Sequence, residues 1–167
     1  MEDYDNSFVL PMTEEARKLD KCLKEGKDFL DSKYPKLTLQ KKLRLDQIPG
    51  EVGACEPDGG LWFRGDTLVA VFEAKTQGDN SGNALERWYK NHYICRMINP
   101  DVCYVTFCRG INRGYDYMVK TLHVSHLDGY NTFIPYGNTC HIRKAPESFT
   151  NNEVLDKMKE VLDYVSK

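Results

Sequence analysis

The run of five apolar residues from Leu68 to Phe72 is the sequence feature that most constrains the fold. A short, continuously apolar run between a turn signal, Arg64-Gly65-Asp66, and a polar loop is typical of a β-strand. The run continues directly into Glu73-Ala74-Lys75, where burial of charge would be costly without a compensating role. We therefore expect a central strand that ends at a polar edge of a sheet.

The neighbouring segments predict a mixed sheet. Leu61-Trp62-Phe63 precedes the apolar run by one turn, which indicates an antiparallel pair. A helix is expected from about Asn83 to Ile98, and the strand pattern of Val102 to Phe107 should lie parallel to the central strand because a helix intervenes. We expect an α/β fold with a mixed five-stranded sheet flanked by helices.

The ends of the chain predict helices that cover this sheet. Thr13 is a candidate cap for a first helix, of which one segment would end at Gly26. Thr150 to Glu153 is a capping box for an amphipathic closing helix. Three segments are ambiguous: 36–45 fits a strand or a loop, 115–122 fits a helix, and 130–135 fits a short strand.

Composition indicates one folded domain, residues 1–167, since 41% of the residues are hydrophobic and no linker or repeat interrupts the chain. No apolar run approaches the length of a membrane helix. The acidic N-terminus does not resemble a secretory signal, and we expect a cytoplasmic protein. The six cysteines are scattered, which favours reduced, mostly buried thiols over disulfides or a structural zinc site.

Charge is the main objection to a nucleic-acid partner, because the net charge is −2 and DNA-binding proteins usually carry a positive surface. The distribution is uneven, however. Between Ser32 and Gly50 there is one acid, Asp46, against five cations: Lys33, Lys36, Lys41, Lys42 and Arg44.

Two carboxylates and a lysine mark the candidate site. Asp58 lies in the turn sequence Pro57-Asp58-Gly59-Gly60, and Glu73 and Lys75 end the apolar strand. Mg²⁺ prefers oxygen ligands and commonly takes only one or two carboxylates, which leaves positions for water and a phosphate. Hydrolysis of a phosphodiester needs such an ion to activate water and neutralise charge. We expect Asp58 and Glu73 to bind Mg²⁺ at a catalytic centre.

Strand alternation refines this expectation. Glu73 and Lys75 should share one face of the sheet, while Ala74 faces away and offers its carbonyl oxygen as a further ligand. Lys75 can orient or deprotonate the attacking water, or it can hold the phosphate. The spacing does not choose between these roles.

The motifs resemble those of the PD-(D/E)xK nucleases, and more narrowly the type II restriction endonucleases of the EcoRI and MunI group. Three elements stand in that group's order: Pro57-Asp58-Gly59-Gly60, Glu73-Ala74-Lys75-x-Gln77-Gly78 and Gly82-Asn83-Ala84-Leu85-Glu86-Arg87. The last is the most specific. The resemblance covers residues 54–110 and implies a PD-(D/E)xK core, a homodimer and a double-stranded DNA substrate.

In that group the third element reads adenines in sites whose central bases are AATT. The resemblance implies base contacts by Asn83 and Arg87 and a backbone or apolar contact by Ala84. It also implies that Glu86 supports Arg87 or bridges the dimer. An Asn amide matches the donor and acceptor of adenine in the major groove. The residues expected to contact the DNA backbone are Lys90, Lys41, Lys42 and Arg44.

The chain also departs from the group's pattern. Gly78-Asp79-Asn80-Ser81 replaces a longer basic insertion, and Phe107-Cys108-Arg109-Gly110 carries a cation where the group has an acid. Arg109 and Arg113 are candidates for phosphate or base contacts, with an ordinary solvated loop as the alternative. Recognition of outer base pairs does not follow from the sequence.

These observations predict a magnesium-dependent type II restriction endonuclease that cuts a short palindrome and leaves 5′-phosphate and 3′-hydroxyl ends. Three other possibilities remain open. One is a structure-specific, phage or mobile-element nuclease of the same fold, and another is a catalytically inactive DNA-binding regulator. The third is a structural or protein-interaction module, which would have no salt-dependent affinity for DNA.

Overall fold

A computed structural model describes residues 9–47, 55–76, 82–109, 125–128, 139–143 and 150–167. Within these ranges the chain has an α/β fold in which helices flank a mixed sheet. The helices are α1 (Val9–Leu30), α2 (Gly82–Ile98) and α3 (Asn151–Val165). The strands are β1 (Thr38–Gln40), β2 (Leu61–Arg64), β3 (Thr67–Thr76), β4 (Cys103–Arg109), β5 (Ser125–Asp128) and β6 (Thr139–Arg143).

The strands form one sheet in the order β1-β2-β3-β4-β6-β5. The first three pair antiparallel, whereas β3, β4, β6 and β5 run parallel to one another. The parallel pairing of β3 with β4 across helix α2 confirms the prediction. The described sheet has six strands, so the predicted number of five was wrong. The strands that border the sheet are only three and four residues long, and such short segments carry little periodic signal.

Each face of the sheet has its own core. On one face α1 and α3 pack against Trp62, Phe72 and Phe107, all fully buried. On the other face α2 packs against Val71 and Tyr104 through its residues Ile94 and Cys95. The central strand β3 contributes to both cores, as its continuously apolar sequence requires.

A bulge in β3 sets which residues reach which face. Phe63 pairs with Leu68, but the preceding residue Trp62 pairs with Ala70, so β3 has one extra residue at Val69. A bulge resets the alternation of side chains along the strand that contains it. Beyond the bulge Ala70 and Phe72 lie in the α1 and α3 core, and Val71 lies on the α2 side. Glu73 therefore follows Val71 on the side of α2.

Helix α1 begins earlier than expected and is not interrupted. It runs from Val9 through Thr13 and Gly26 to Leu30, so the predicted start at Thr13 and break at Gly26 were wrong. Packing accounts for the glycine, because a Cβ at residue 26 would lie 2.9 Å from Sδ of Met158 on α3. Gly26 permits two helices to approach closely rather than ending one.

The closing helix has the predicted capping box. The Thr150 side chain accepts a hydrogen bond from the Glu153 backbone, and the Glu153 carboxylate accepts one from the Thr150 backbone. At the other end of α3, Arg64 Nη1 donates to the Val165 carbonyl at 2.8 Å, where a cation also suits the helix dipole. Both ends of α3 are therefore fixed.

None of the helices in the described ranges is both long and apolar enough to cross a membrane. The segments 115–122 and 130–135, for which a helix and a strand were considered, lie outside the described residues.

Candidate active site

The turn that carries Asp58 comes just before β2 in the chain and lies alongside β3. Gly59 N donates to the Phe72 carbonyl at 2.8 Å, and Phe72 N donates to the Gly60 carbonyl at 3.5 Å. The buried Trp62 indole donates to the Gly59 carbonyl at 3.0 Å. These bonds extend the β2–β3 pairing and fix the turn against β3, the strand that contains Glu73.

Both glycines of this turn are required by the geometry. A Cβ at Gly59 would lie 2.4 Å from the Phe72 Cβ, so a side chain there would push the turn away from β3. Gly60 has a φ of 84°, a conformation that only glycine adopts at low cost. The sequence Pro57-Asp58-Gly59-Gly60 is therefore the local reason that Asp58 lies beside β3.

Asp58 contacts the backbone of the Glu-x-Lys segment directly. Its Oδ2 accepts a hydrogen bond from the Ala74 N–H at 3.2 Å. In a β-strand the N–H and C=O of one residue point to the same side. The Ala74 carbonyl therefore lies on the strand edge that Asp58 occupies, next to the position of Glu73.

Glu73 accepts hydrogen bonds from two other elements. Asn91 Nδ2 of helix α2 donates to Glu73 Oε1 at 3.2 Å. The Tyr104 hydroxyl of strand β4 donates to Glu73 Oε2. Asn91 is buried and Tyr104 is fully buried, so both donors come from rigid, packed positions.

The surroundings of Tyr104 keep its hydroxyl protonated. Burial, followed by the nearby charge of Glu73, raises the pKa of Tyr104 well above its ordinary value. The His92 ring stacks on the Tyr104 ring with centroids 3.8 Å apart. Behind them Cys55 Sγ lies 4.0 Å from Cys95 Sγ, and these thiols are free. Tyr104 is therefore a hydrogen-bond donor at any moderate pH.

Asp58 accepts its hydrogen bond from Ala74, the residue that follows Glu73. Carboxylate and carbonyl oxygens, which these residues supply, are the donors that Mg²⁺ prefers. Asn91, which donates to Glu73, also has a buried Oδ1 that accepts no hydrogen bond from the described part of the chain. In the same ranges no three His, Cys, Asp or Glu side chains group together as a metal site.

The remaining candidate residues are placed by the backbone. Lys75 lies on β3 opposite Cys108 of β4, two positions beyond Glu73. Asn83, Ala84 and Arg87 lie in the first two turns of α2, and Lys90 follows them as a partly buried residue.

The other residues predicted to contact DNA are Arg109, Arg113 and the cations of the basic segment after β1. Arg109 ends β4 opposite Thr76. Arg113 lies outside the described residues. Lys41, Lys42 and Arg44 are exposed in the segment after β1. Leu43, between them, packs in the core on the α2 side, so this basic segment borders the face that carries Glu73.

Sequence reasoning missed Asn91 and Tyr104. Tyr104 occurs in an apolar strand pattern, and Asn91 occurs in the middle of a helix, so neither stands out locally. Their common partner depends on the register of β3 with β4, in which Val71 lies opposite Tyr104 and Glu73 opposite Thr106. The sequence offered one signal for these contacts, which is that the polar residue Asn91 lies on the packed side of α2.

Comparisons with models of protein families, with curated proteins and with solved structures find no match for this chain.

Proposed function

We propose that this protein is a magnesium-dependent type II restriction endonuclease with a PD-(D/E)xK core. The observation that carries the proposal is the hydrogen bond of the Asp58 carboxylate to the Ala74 N–H, beside Glu73. This hydrogen bond joins residues 16 positions apart in the sequence and supports a shared site for Asp58 and Glu73. The succession of turn, β2, β3, α2 and β4 agrees with the order of the motifs.

Each residue has a defined part in the proposed hydrolysis. Asp58, Glu73 and the Ala74 carbonyl would hold Mg²⁺, which would supply charge neutralisation at the phosphate and a more acidic water. The Asn91 and Tyr104 hydrogen bonds hold Glu73 in place. Attack by water would form a new P–O bond as the P–O3′ bond breaks, and the departing 3′ oxygen would take up a proton, which leaves 5′-phosphate and 3′-hydroxyl ends.

Two alternative roles for Lys75 are compatible with this proposal. As a cation it stabilises the charge that develops on the phosphate. As a neutral amine it accepts a proton from the attacking water, which requires a lowered pKa. In both roles it acts from the same end of β3 as Glu73.

Sequence recognition is assigned to the beginning of α2. Asn83 and Arg87 are one helical turn apart, and with Ala84 they would contact a palindrome that contains AATT. Lys90, Arg109 and Arg113 are assigned to the DNA as further contacts. A palindrome has twofold symmetry, so a homodimer would present identical centres to both strands.

Digestion of a sequenced DNA in the presence of Mg²⁺ tests the proposal. We expect discrete fragments, cleavage at palindromes that contain AATT, and 5′-phosphate ends. Asp58→Ala and Glu73→Gln should each abolish cleavage while DNA binding persists, because removal of a negative charge reduces repulsion from phosphate. Asp66→Asn is the matched control, because this exposed acid lies in the turn at the opposite end of β3 and should cleave normally.

The other outcomes are distinguishable. Cleavage that depends on DNA structure and gives no discrete fragments would identify a structure-specific nuclease with the same catalytic residues. DNA binding without magnesium-dependent cleavage would identify an inactive regulator. Absence of salt-dependent DNA binding would overturn every reading that includes a nucleic acid.

A further inference from the structure

We propose that Asn91 and Tyr104 are positioning residues that orient the Glu73 carboxylate toward a divalent cation. This inference rests on the proposed function and extends it to residues outside the sequence motifs. The carboxylate is held from two independent elements, helix α2 and strand β4, by the hydrogen bonds to Oε1 and Oε2.

The two hydrogen bonds are compatible with a metal ion on the same carboxylate. An ionised carboxylate offers about four lone-pair sites on its two oxygens. The hydrogen bonds from Asn91 and Tyr104, one to each oxygen, restrict the rotation of the side chain. A hydroxyl and an amide are uncharged, so these two donors orient the carboxylate without neutralising it.

The two donors are themselves fixed. Tyr104 is fully buried, and its ring is held by the stacked ring of His92. Asn91 precedes His92 in α2 and is 8% exposed. Asn91 therefore contacts Glu73 directly, and the next residue, His92, holds the tyrosine that also contacts Glu73. This arrangement resists rotation of any single side chain.

The orientation of the Asn91 amide follows from chemistry. If the amide were reversed, Oδ1 would face the carboxylate and repel it, so Nδ2 must be the atom that faces Glu73. Oδ1 is then buried without a donor from the described residues. A buried acceptor is costly unless it receives a hydrogen bond, and a water molecule on a bound cation is a donor of the required kind.

Binding of Mn²⁺ to the full chain without DNA tests the inference by calorimetry. Tyr104→Phe removes one hydroxyl and keeps the packing of the ring, and Asn91→Leu removes the amide at similar volume. Each should weaken Mn²⁺ binding by about 10–100-fold, the usual effect of removing a group that orients a metal ligand. Circular dichroism establishes that each variant is folded.

Matched controls separate orientation from stability. Tyr34 also donates to a carboxylate, Asp163, at 2.8 Å, but on the side of the sheet with α1 and α3. Asn99 likewise donates through Nδ2, to the Leu68 carbonyl at 2.8 Å. Tyr34→Phe and Asn99→Leu should lower the melting temperature and leave Mn²⁺ affinity within about 2-fold of the unaltered protein.

A double-mutant cycle tests whether Tyr104 acts through Glu73. In a Glu73→Gln background, Tyr104→Phe should change the residual Mn²⁺ affinity by less than about 2-fold, because the oriented carboxylate is already absent. Unchanged affinity in both Tyr104→Phe and Asn91→Leu would overturn the inference while the proposed function stands. If the unaltered chain binds no Mn²⁺ that Asp58→Ala removes, the proposed function and the inference both fail.

Discussion

The placement of Asp58 depends on the absence of a side chain at the next residue. Gly59 lies so close to Phe72 that their backbones form a hydrogen bond of 2.8 Å, and the turn then directs Asp58 toward the Ala74 N–H. An acid at the same sequence position without this close approach would not reach β3. The glycine therefore contributes to the site through backbone geometry alone.

Gly59→Ala should displace the turn that carries Asp58. The new Cβ would lie 2.4 Å from the Phe72 Cβ, and overpacking of this kind costs about 1–3 kcal/mol of unfolding free energy. We expect lower stability in urea denaturation together with a large loss of magnesium-dependent cleavage.

Gly65→Ala is the control for this prediction. Gly65 has a φ of 62°, and a Cβ there would meet nothing within 4 Å, so the cost of about 1 kcal/mol comes from backbone strain alone. The control should cleave DNA at the normal rate. Normal cleavage by Gly59→Ala would contradict the role assigned to the turn.

The Cys103 thiol makes stability sensitive to alkaline pH. Burial raises the pKa of Cys103 from its ordinary value of 9.0 to about 11. The folded state therefore favours the neutral thiol, and this contribution is complete below pH 9.0 and is lost as the pH rises toward about 11. The loss amounts to about 1 kcal/mol by pH 10.

Cys103→Ala should flatten this dependence. Urea denaturation at intervals from pH 8 to pH 10.5 would give the slope of unfolding free energy for the variant and for the unaltered chain. Cys22→Ala is the control, since Cys22 is only partly buried. Equal slopes for Cys103→Ala and the unaltered chain would show that Cys103 does not titrate as inferred.

At the scale of elements, the capping box of α3 stabilises one of the two helices that cover the sheet. Thr150→Ala removes the acceptor for the Glu153 N–H, and loss of such a cap typically costs about 1 kcal/mol. We expect a lower urea midpoint with an unchanged slope. Thr67→Ala, an exposed threonine at the beginning of β3, should have a smaller effect, and an equal effect would argue against the cap.

Local sequence patterns were sufficient for the elements that have strong signals. The β2–β3 turn, the body of α2 and the Thr150 cap each depend on a few neighbouring residues, and each is present. The two glycines after Asp58, Gly59 and Gly60, also indicated a turn. The segment 36–45 fitted either a strand or a loop, because the three residues of β1, Thr38–Gln40, are too few for periodicity to decide between them.

The rest of the site depends on contacts between elements. The bulge at Val69 arises from the pairing of β2 with β3, and the identity of residue 69 as valine does not predict it. Asn91 and Tyr104 both contact Glu73 because of the position at which α2 packs on the sheet. Since α2 also carries Asn83 and Arg87, a helix that contacts DNA at its beginning would be linked to the Glu73 carboxylate through Asn91.

At the scale of the whole molecule, the net charge of −2 requires that any DNA affinity come from a local surface. The exposed segment with Lys41 and Lys42 meets this requirement. Leu43, between these lysines and Arg44, packs with residues of α2, and Leu43 N donates to the Cys55 carbonyl at 3.0 Å. The segment is thereby fixed beside Cys55, in the stretch of chain that leads to Asp58.

Lys41→Ala and Lys42→Ala should each weaken DNA binding and reduce its salt dependence. A lysine that neutralises one phosphate releases about one counterion, so the slope of log K against log salt should become shallower by about 1 per substitution. Lys21→Ala is the control, because Lys21 is exposed on α1 beside Glu25, with Lys21 Nζ 3.8 Å from Glu25 Oε2. Fluorescence anisotropy with a labelled duplex between 50 and 200 mM salt, a range of strong dependence for phosphate contacts, measures both quantities. If the Lys41 and Lys42 variants keep the slope of the Lys21 control, the DNA must approach the protein by another surface.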